Sequence, residues 1–439
     1  MSPELLGGIM LALMIVVIFV GFPIAFTLLL LALVFGYLGL GNTVFYLSVF
    51  QTIGMMKEEV LAAVPLFIFM GYMTEQAGLM ERLFRAIQLM MAPVRGSLYV
   101  AVILTATVFA MATGIVGAAV TVLGIMAAPV MIKSGYSHRL SAGAIAAGGT
   151  LGILIPPSVM LVVMGPVLGV SVSLLYAAAF GPGFLMAALY IAYTLGRSYL
   201  DPRMGPPVPP EERAKAVGVL VREFVVGVLP LGLLIFCTLG SILGGLATPT
   251  EASAMGASGA MVLALAYRRL TVKGLRQAAI STLTTSSMVL MLATASNVFG
   301  AVFSRLGTAT VITNALLALP FPPFAMLIIV MLLIFLLGWP FEWPAIVLVF
   351  LPILYPVIEA LKYNPVWFGA LVAVNLQTAF LSPPVAMSAY YLKQVVPQWD
   401  LGTIYRGMAD FMIIQVIALA LLMLFPQIAL WFPNWLFGK

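Results

Sequence analysis

Long apolar runs without a charged residue recur along this 439-residue chain and limit what it can fold into. Leu11–Leu40, Ile280–Ser304 and Phe411–Leu430 are uncharged, and each is at least as long as the ~20 residues that a helix needs to cross the hydrocarbon core of a bilayer. Only 8% of all residues are charged, against about 25% in ordinary soluble domains. Counting every such run predicts roughly ten to twelve membrane passes.

Helices are the only spanning element that suits these runs. Unpaired backbone groups are too costly in lipid, and no ~10-residue pattern of alternating polarity recurs that would indicate a membrane β-barrel. We therefore predict an all-α polytopic membrane protein. The first four residues, Met1 to Glu4, lack the positive charge of a signal peptide, so we expect a retained first helix. The single cysteine, Cys237, excludes an intramolecular disulfide.

Basic residues cluster in a few loops, which the positive-inside rule places in the cytoplasm. The clusters are Arg82/Arg85/Arg95, Lys133/Arg139, Arg197 to Arg222, Arg268/Arg269/Lys273/Arg276 and Lys393/Arg406. All but four of the 20 Lys and Arg residues then lie inside, the exceptions being Lys57, Arg305, Lys362 and Lys439. Both chain ends are predicted on the outer face.

The uncharged segment between Arg95 and Lys133 joins two loops that this topology places on the same side. As one straight helix, at 1.5 Å per residue, it would be far longer than the ~30 Å hydrocarbon core, so the chain must enter and return. Its middle, residues 110–118, consists mostly of small residues that suit a tight turn at membrane depth. We predict a re-entrant hairpin over residues 98–132.

A matching feature occurs in the second half, where Phe324–Leu337 and Ala345–Ile358 flank the segment from Gly338 to Pro344. Each arm, about 14 residues or ~21 Å of helix, is too short to span the hydrocarbon core. We predict a second re-entrant hairpin over residues 322–358, entering from the opposite face.

Each predicted hairpin is followed by a helix with a Pro-Pro pair: residues 140–170 contain Pro156-Pro157, and residues 366–393 contain Pro383-Pro384. Proline lacks an amide donor and clashes with the preceding turn, so each pair should break its helix and free several carbonyl groups. A hairpin and a broken helix that recur in opposite orientation indicate an inverted-repeat transporter with its site near the bilayer midplane. Packing kinks in an ordinary helix bundle are the alternative explanation.

At these positions the sequence resembles the DctM family, the large membrane subunit of tripartite ATP-independent periplasmic (TRAP) transporters. The resemblance is carried by segments in the family's order over essentially the whole chain: Phe109 to Gly114, Gly149 to Ser158, Ala247 to Ala252 and Ser382 to Val385.

The resemblance implies a sodium-coupled elevator transporter in the bacterial inner membrane that takes up a small organic acid. It also implies two partners, a periplasmic substrate-binding protein that delivers the substrate and a separate small four-helix membrane subunit. The resemblance further implies a division of the chain into scaffold and transport segments. Residues 1–95 are scaffold helices with an amphipathic arm, Leu79–Met91, and residues 171–304 are scaffold helices with a cytoplasmic linker at 197–223. Residues 96–170 and 305–393 are the two halves of the transport domain, and residues 394–439 form a C-terminal helix.

By the same resemblance, sodium is expected at each hairpin tip and helix break, bound largely by backbone oxygens. The first set is Ala110, Thr113, Gly152, Ile155 and Pro157, and the second is Gly338, Ala379, Ser382 and Val385. The predicted substrate contacts are Thr113, Gly114, Ser158, Glu342, Asn375 and Ser382. Free carbonyl groups at helix breaks are suitable ligands for Na+.

Two acidic residues have competing interpretations. Glu342 lies at the second predicted tip, where a carboxylate in the membrane is a functional candidate, although it could equally bond the tip backbone or face a wet vestibule. Glu251 follows Thr248-Pro249-Thr250, and this pattern favours a helix cap over a transport role.

No enzyme motif is present: the sequence lacks a nucleotide-binding P-loop, a His-Glu-x-x-His zinc motif and a Gly-x-Ser-x-Gly nucleophile elbow. We therefore expect a carrier driven by an ion gradient and not an enzyme. A stand-alone sodium/dicarboxylate carrier of related architecture and a passive channel, which two re-entrant elements can also build, remain as alternatives.

Overall fold

The computed structural model describes residues 2–207, 217–383 and 386–438, and within these ranges the chain forms helices and turns without a β-strand. The first half contains α1 (Pro3–Phe19), α2 (Ile24–Leu40), α3 (Thr43–Met56), α4 (Ala63–Gln76), α5 (Leu79–Met91), α6 (Ser97–Thr113), α7 (Val116–Lys133), α8 (His138–Leu154), α9 (Val159–Leu168) and α10 (Val172–Leu200). A 3-10 turn, Glu59–Ala62, precedes α4.

The second half contains α11 (Val217–Gly227), α12 (Leu229–Leu243), α13 (Pro249–Ala266), α14 (Val272–Arg305), α15 (Thr308–Leu317), α16 (Pro323–Leu337), α17 (Trp343–Ala345), α18 (Leu351–Ala360), α19 (Pro365–Leu381), α20 (Met387–Val395), α21 (Leu401–Leu424) and α22 (Gln427–Phe437). A π-helical turn, Ile346–Phe350, joins α17 to α18. Most of the predicted apolar runs are thus helical, as expected.

Six helical stretches among the described residues are long and apolar enough to cross a membrane, and two bent helix pairs raise this number to eight. The bends are 62° between α4 and α5 and 45° between α8 and α9. The sequence-based count of ten to twelve passes is higher than this number. Proline and glycine divide other apolar runs into helices of 10–17 residues, and these helices are too short to span a membrane on their own. The α1–α2 break at Gly21 and Pro23 is an example.

The loops that carry the basic clusters lie on one face of the molecule. The amide of Gly96 donates to the carbonyl of Gly205 (2.9 Å), which joins the loop before α6 to the segment after α10. The amide of Ser137 donates to the carbonyl of Met204 in the same segment (3.1 Å). On the opposite face, the Thr308 hydroxyl donates to the carbonyl of Glu4 (3.1 Å). This arrangement agrees with the topology that the positive-inside rule predicts.

Site-directed labelling should test this topology in a Cys237→Ser background. We expect His138→Cys and Arg203→Cys, both exposed, to react with a membrane-impermeant thiol reagent only from the cytoplasm. Glu359→Cys, exposed at the end of α18, should react only from outside. Labelling of positions 138 and 359 from the same side would contradict the inverted arrangement of the two hairpins.

Two helical hairpins lie where the sequence predicts them, at 97–133 and 323–360. Gly114, with a left-handed φ of 61°, turns the chain between α6 and α7. The second hairpin differs in its return arm: Trp343–Ala360 runs on through the π-helical turn and is long enough to span by length alone. Arm length therefore does not prove that the second hairpin is re-entrant, contrary to the sequence argument.

Each hairpin is followed by the expected broken helix, α8 with α9 and α19 with α20. Each broken helix begins with a side-chain cap. The Ser137 hydroxyl accepts a hydrogen bond from the amide of Leu140 (3.5 Å), and the Asn364 side-chain oxygen accepts one from the amide of Val366 (2.8 Å). The breaks come where proline removes donors. The second break includes residues 384–385, which lie outside the described ranges.

The helices other than α5 and α11 pack in two groups. One comprises α1–α4 and α12–α15, and the other contains both hairpins, both broken helices, α10, α21 and α22. Close glycine contacts join α21 to α8, where Gly407 meets the backbone of Arg139 and Gly143. Glu251 and Thr248 form a capping box at the start of α13, which confirms the predicted capping role of Glu251.

Two predicted boundaries change and a third is unchanged. The C-terminal segment 394–439 contains two helices, because Pro426 separates α21 from α22. The linker predicted at 197–223 is shorter, since α10 extends to Leu200 and α11 begins at Val217. The amphipathic arm Leu79–Met91 has the predicted bounds and buries Leu83 and Phe84.

Candidate functional site

The first hairpin tip packs directly against the first helix break. An ideal Cβ placed on Gly114 would lie 3.6 Å from the carbonyl oxygen of Pro157 and 3.8 Å from that of Gly152. Pro156 lies four residues after Gly152 and has no N–H, so it cannot donate to the Gly152 carbonyl as a helix would require. Glycine at the tip leaves these two oxygens uncovered.

Pro157 deprives the Ile153 carbonyl of its helical donor in the same way, and the Ser158 hydroxyl donates to that carbonyl instead. Ser158 is fully buried, and its own carbonyl accepts from the Tyr176 hydroxyl at 3.4 Å. Of the two carbonyl groups that the prolines leave without a helical donor, that of Ile153 thus accepts a hydrogen bond within the break. The carbonyl group of Gly152 lies next to the hairpin tip instead.

The second tip and second break are also in contact. An ideal Cβ on Gly338 would lie 3.0 Å from the Cβ of Ala379, so the end of α16 sits on the last turns of α19. Pro383 lacks the N–H that the Ala379 carbonyl would accept from in a continuous helix. The Ser382 hydroxyl, 98% buried, has no hydrogen-bond partner in the described structure. A buried orphan hydroxyl beside a helix break is a candidate ligand.

Both tips open into a cavity of about 500 Å³ between the two helix groups. The tips contribute the segment Gly114 to Ala118 and the segment Glu342 to Pro344. The other group supplies Tyr72, Glu75 and Thr285, and α20 supplies Tyr391 and Gln394. The two hairpin tips thus meet at one cavity, as the inverted-repeat prediction requires.

A buried hydrogen-bond network connects the two broken helices behind their breaks. The Thr150 hydroxyl of α8 donates to Oε1 of Gln377 in α19 at 3.0 Å. Gln415 of α21 donates from Nε2 to the Tyr190 hydroxyl of α10 at 2.9 Å and to Thr150 at 3.4 Å. All four side chains are fully buried. These four helices are therefore linked as one unit near both breaks.

The predicted sodium ligands fall into two groups in space. Ala110, Thr113, Gly152, Ile155 and Pro157 lie around the first tip and break, although the carbonyl of Ala110 also accepts from the Gly114 amide at 3.1 Å. Gly338, Ala379 and Ser382 lie around the second, and Val385 is outside the described residues. Their role in binding sodium stays a prediction.

Of the predicted substrate contacts, Gly114 and Glu342 line the cavity. Asn375 is buried in α19, where its Nδ2 donates to the Met331 carbonyl at 2.7 Å and holds α16, an arrangement that favours a structural role. Ser158 is likewise engaged with Ile153. Sequence reasoning missed Glu75, which could have been found as the lone acidic residue at the end of an otherwise uncharged apolar run.

The comparisons with known proteins agree with this geometry. Residues 11–428 match the sequence profile described as the tripartite ATP-independent periplasmic transporter, DctM component. This chain belongs to the DctM family. DctM proteins are subunits of transporters and not enzymes, and the chain is a multi-pass bacterial membrane protein.

Several DctM relatives match most of the chain. The sialic acid TRAP transporter large permease protein SiaM of Vibrio cholerae is 29% identical over 428 residues, covering 96% of this chain and 97% of that protein. The C4-dicarboxylate permease DctM of Pseudomonas aeruginosa is 28% identical, covering 87% of each. The isethionate permease DctMQ of Oleidesulfovibrio alaskensis is 29% identical, covering 75% of this chain and 51% of that protein.

Two solved structures share the fold of this DctM chain. The YdaH transporter of Alcanivorax borkumensis superposes with a TM-score of 0.66 at 16% identity, covering 96% of this chain and 98% of that one. MtrF of Neisseria gonorrhoeae gives a TM-score of 0.61 at 15% identity, covering 88% and 84%. At these identities the likeness shows the fold alone.

Proposed function

We propose that this DctM protein carries out sodium-coupled secondary uptake of a small organic acid across the bacterial inner membrane by an elevator movement. A periplasmic substrate-binding protein delivers the substrate, and a separate small four-helix membrane subunit completes the complex. The family's tripartite, ATP-independent character supports an ion gradient as the energy source. DctMQ, of which this chain covers only 51%, supports a partner subunit beyond this chain.

The observation that carries the sodium proposal is the convergence of Gly152 and Pro157 carbonyl oxygens on the Gly114 tip. Carbonyl groups left without donors at membrane depth cost several kcal/mol each unless something satisfies them. A monovalent cation held by backbone oxygens at a broken helix does so. At the second break, the buried and unpartnered Ser382 hydroxyl supports the same role.

The elevator proposal is supported by the packing. The cavity is bounded by the hairpin tips on one side and by α4 and α14 on the other, so one helix group can carry the site past the other. Within this proposal, α10 leaves the scaffold segment predicted at 171–304. Because α10 packs on α8, α9, α19 and α21, we assign it to the moving group together with α21 and α22.

The two alternatives differ from this proposal in measurable ways. A stand-alone sodium/dicarboxylate carrier needs no binding protein, whereas the matched family is tripartite. A passive channel cannot accumulate a solute against its gradient. The relatives named for sialic acid, C4-dicarboxylate and isethionate support an organic acid as the substrate class.

Uptake in proteoliposomes that contain this chain and its small subunit tests the proposal. With the cognate binding protein outside, an inward sodium gradient should drive accumulation of the organic acid above its external concentration, and an equal potassium gradient should not. Accumulation without the binding protein would favour the stand-alone carrier. Equilibration without accumulation would favour the channel.

A further inference from the structure

Three hydrogen bonds among buried side chains join the two halves of the chain directly behind the helix breaks. The Thr150 hydroxyl of α8 lies 3.0 Å from Oε1 of Gln377 in α19. Gln415 of α21 donates both to Thr150 and to Tyr190 of α10. The helices α8 and α10 belong to the first half, and α19 and α21 belong to the second. Each of these bonds therefore crosses from one half to the other.

Thr150 and Gln377 occupy equivalent positions in the two predicted repeats. Thr150 is the sixth residue before Pro156, and Gln377 is the sixth residue before Pro383. Both side chains are fully buried near the ends of their helices. A bond between equivalent positions of inverted repeats lies close to the axis that relates them. The contact between Thr150 and Gln377 is therefore placed between the two breaks.

The link between Thr150 and Gln377 does not depend on one orientation of the amide. The Thr150 hydroxyl has one proton and two acceptors within reach, Oε1 of Gln377 at 3.0 Å and the carbonyl of Ala147 at 2.8 Å. When the proton goes to Ala147, a turned Gln377 amide can donate from Nε2 to the hydroxyl oxygen. In the described structure Nε2 has no other partner. Both arrangements thus keep the two helices joined.

Small residues surround Thr150 in α8, so a directional bond matters for the position of this helix against α19. Residues 142–149 are all alanine or glycine except Ile145. Small side chains form shallow ridges, and packing alone then fixes the rotation and translation of a helix only weakly. A buried hydrogen bond in surroundings of low dielectric constant is stronger than in water and fixes both.

The same bond lies next to the backbone oxygens proposed for sodium. Thr150 stands two positions before Gly152, and Gln377 stands two positions before Ala379, and proline leaves both of these carbonyl groups without a helical donor. A cation held at either break must bring its oxygen ligands together, which orders the last turn of that helix. Because the two last turns are bonded, order in one lowers the ordering cost of a second ion at the other. Each ion must then raise the affinity for the other by the same factor.

We propose that Thr150 and Gln377 are positioning residues that couple the two sodium sites, so that sodium at either helix break raises the affinity of the other break for sodium. Gln415 supports the pair, because it bonds Thr150 and is itself held by Tyr190. This inference rests on the proposed function and adds cooperativity between its two ion sites. Such a carrier takes up both ions together over a narrow range of sodium concentration.

Equilibrium binding of radioactive sodium to the purified chain with its small subunit tests the coupling, with potassium replacing sodium at constant ionic strength. The parent should bind sodium with a Hill coefficient above one. Thr150→Val removes one hydroxyl, and Gln377→Met removes the amide at nearly constant length. In each variant the Hill coefficient should fall to one or below. The half-saturating sodium concentration should rise about two- to twelvefold, which is the square root of a coupling factor of typical size.

Three further variants separate coupling from stability. Thr150→Ser keeps the hydroxyl and should keep the parent's Hill coefficient. Thr194→Val makes the same change at a buried position of α10 whose hydroxyl donates to carbonyl groups of its own helix, and it should bind sodium like the parent. The double variant Thr150→Val/Gln377→Met should bind sodium like either single variant, because all three lack the same bond.

Binding by both single variants with the parent's Hill coefficient would overturn the inference, even with a lower Tm in potassium, since the bond would then be structural only. A Hill coefficient of one or below in a parent that binds sodium at both sites would also overturn it and leave the sodium sites intact. A parent that binds no sodium would contradict the sodium coupling of the proposed function, and this inference with it. If one variant does not fold, the other decides, because each removes the same bond.

Discussion

Replacing Pro157 with alanine should reduce the apparent sodium affinity of uptake by at least about tenfold, equivalent to ~1.4 kcal/mol. Alanine restores an N–H at position 157, which can donate to the Ile153 carbonyl in place of the Ser158 hydroxyl. The break can then rewind in part, since alanine favours the helix by about 3 kcal/mol over proline, while Pro156 still leaves the Gly152 carbonyl without a helical donor. The Pro157 carbonyl would move away from the Gly114 tip. The measurement is uptake against sodium concentration, together with Tm in sodium and in potassium.

Pro129→Ala is the matched control, because Pro129 is exposed within α7 and lies at no break. Its sodium dependence should equal that of the parent. Ser382→Ala tests the second site with a smaller change, removing only a buried hydroxyl that no described residue binds. If the parent itself shows the same uptake and Tm in both salts, neither sodium site exists.

Sequence reasoning predicted the hairpins and the breaks because backbone chemistry decides them locally. Pro156 and Pro383 remove specific donors wherever the surrounding helix lies, and Gly114 permits the left-handed turn that the first tip adopts. The basic loops likewise reach one face because the membrane sorts charge by side and not by tertiary contact. These features need no knowledge of which helix packs on which.

The helix partnerships could not be predicted in this way. Glu75 enters the site from α4, a helix far from either hairpin in sequence, and only tertiary packing brings it to Glu342. The same holds for the hydrogen bonds among Thr150, Gln377 and Gln415, which nothing in their local sequences indicates. The place of α10 beside the broken helices was missed because an apolar helix gives no sign of its neighbours.

Gly407 shows how strongly such a partnership can constrain one residue. A Cβ added there would lie 2.1 Å from the carbonyl oxygen of Arg139 and 2.9 Å from the amide nitrogen of Gly143, both in the backbone of α8. Nearby, Arg139 forms an ion pair with Asp410 of α21 at 2.6 Å. Side chains can rotate away from an added methyl group, but a helix backbone cannot. Any residue larger than glycine must therefore push α8 and α21 apart.

Gly407→Ala should consequently destabilise the protein by about 1–3 kcal/mol or more, the cost of overpacking a close contact. Gly196→Ala is the matched control, since a Cβ at this exposed position of α10 meets nothing within 4 Å. The control should leave Tm unchanged or raise it, because alanine is the better helix former by up to about 1 kcal/mol. Because α8 carries the first break, Gly407→Ala should also weaken the sodium-dependent Tm shift. A Tm equal to that of the parent would show that α8 and α21 do not pack through this contact.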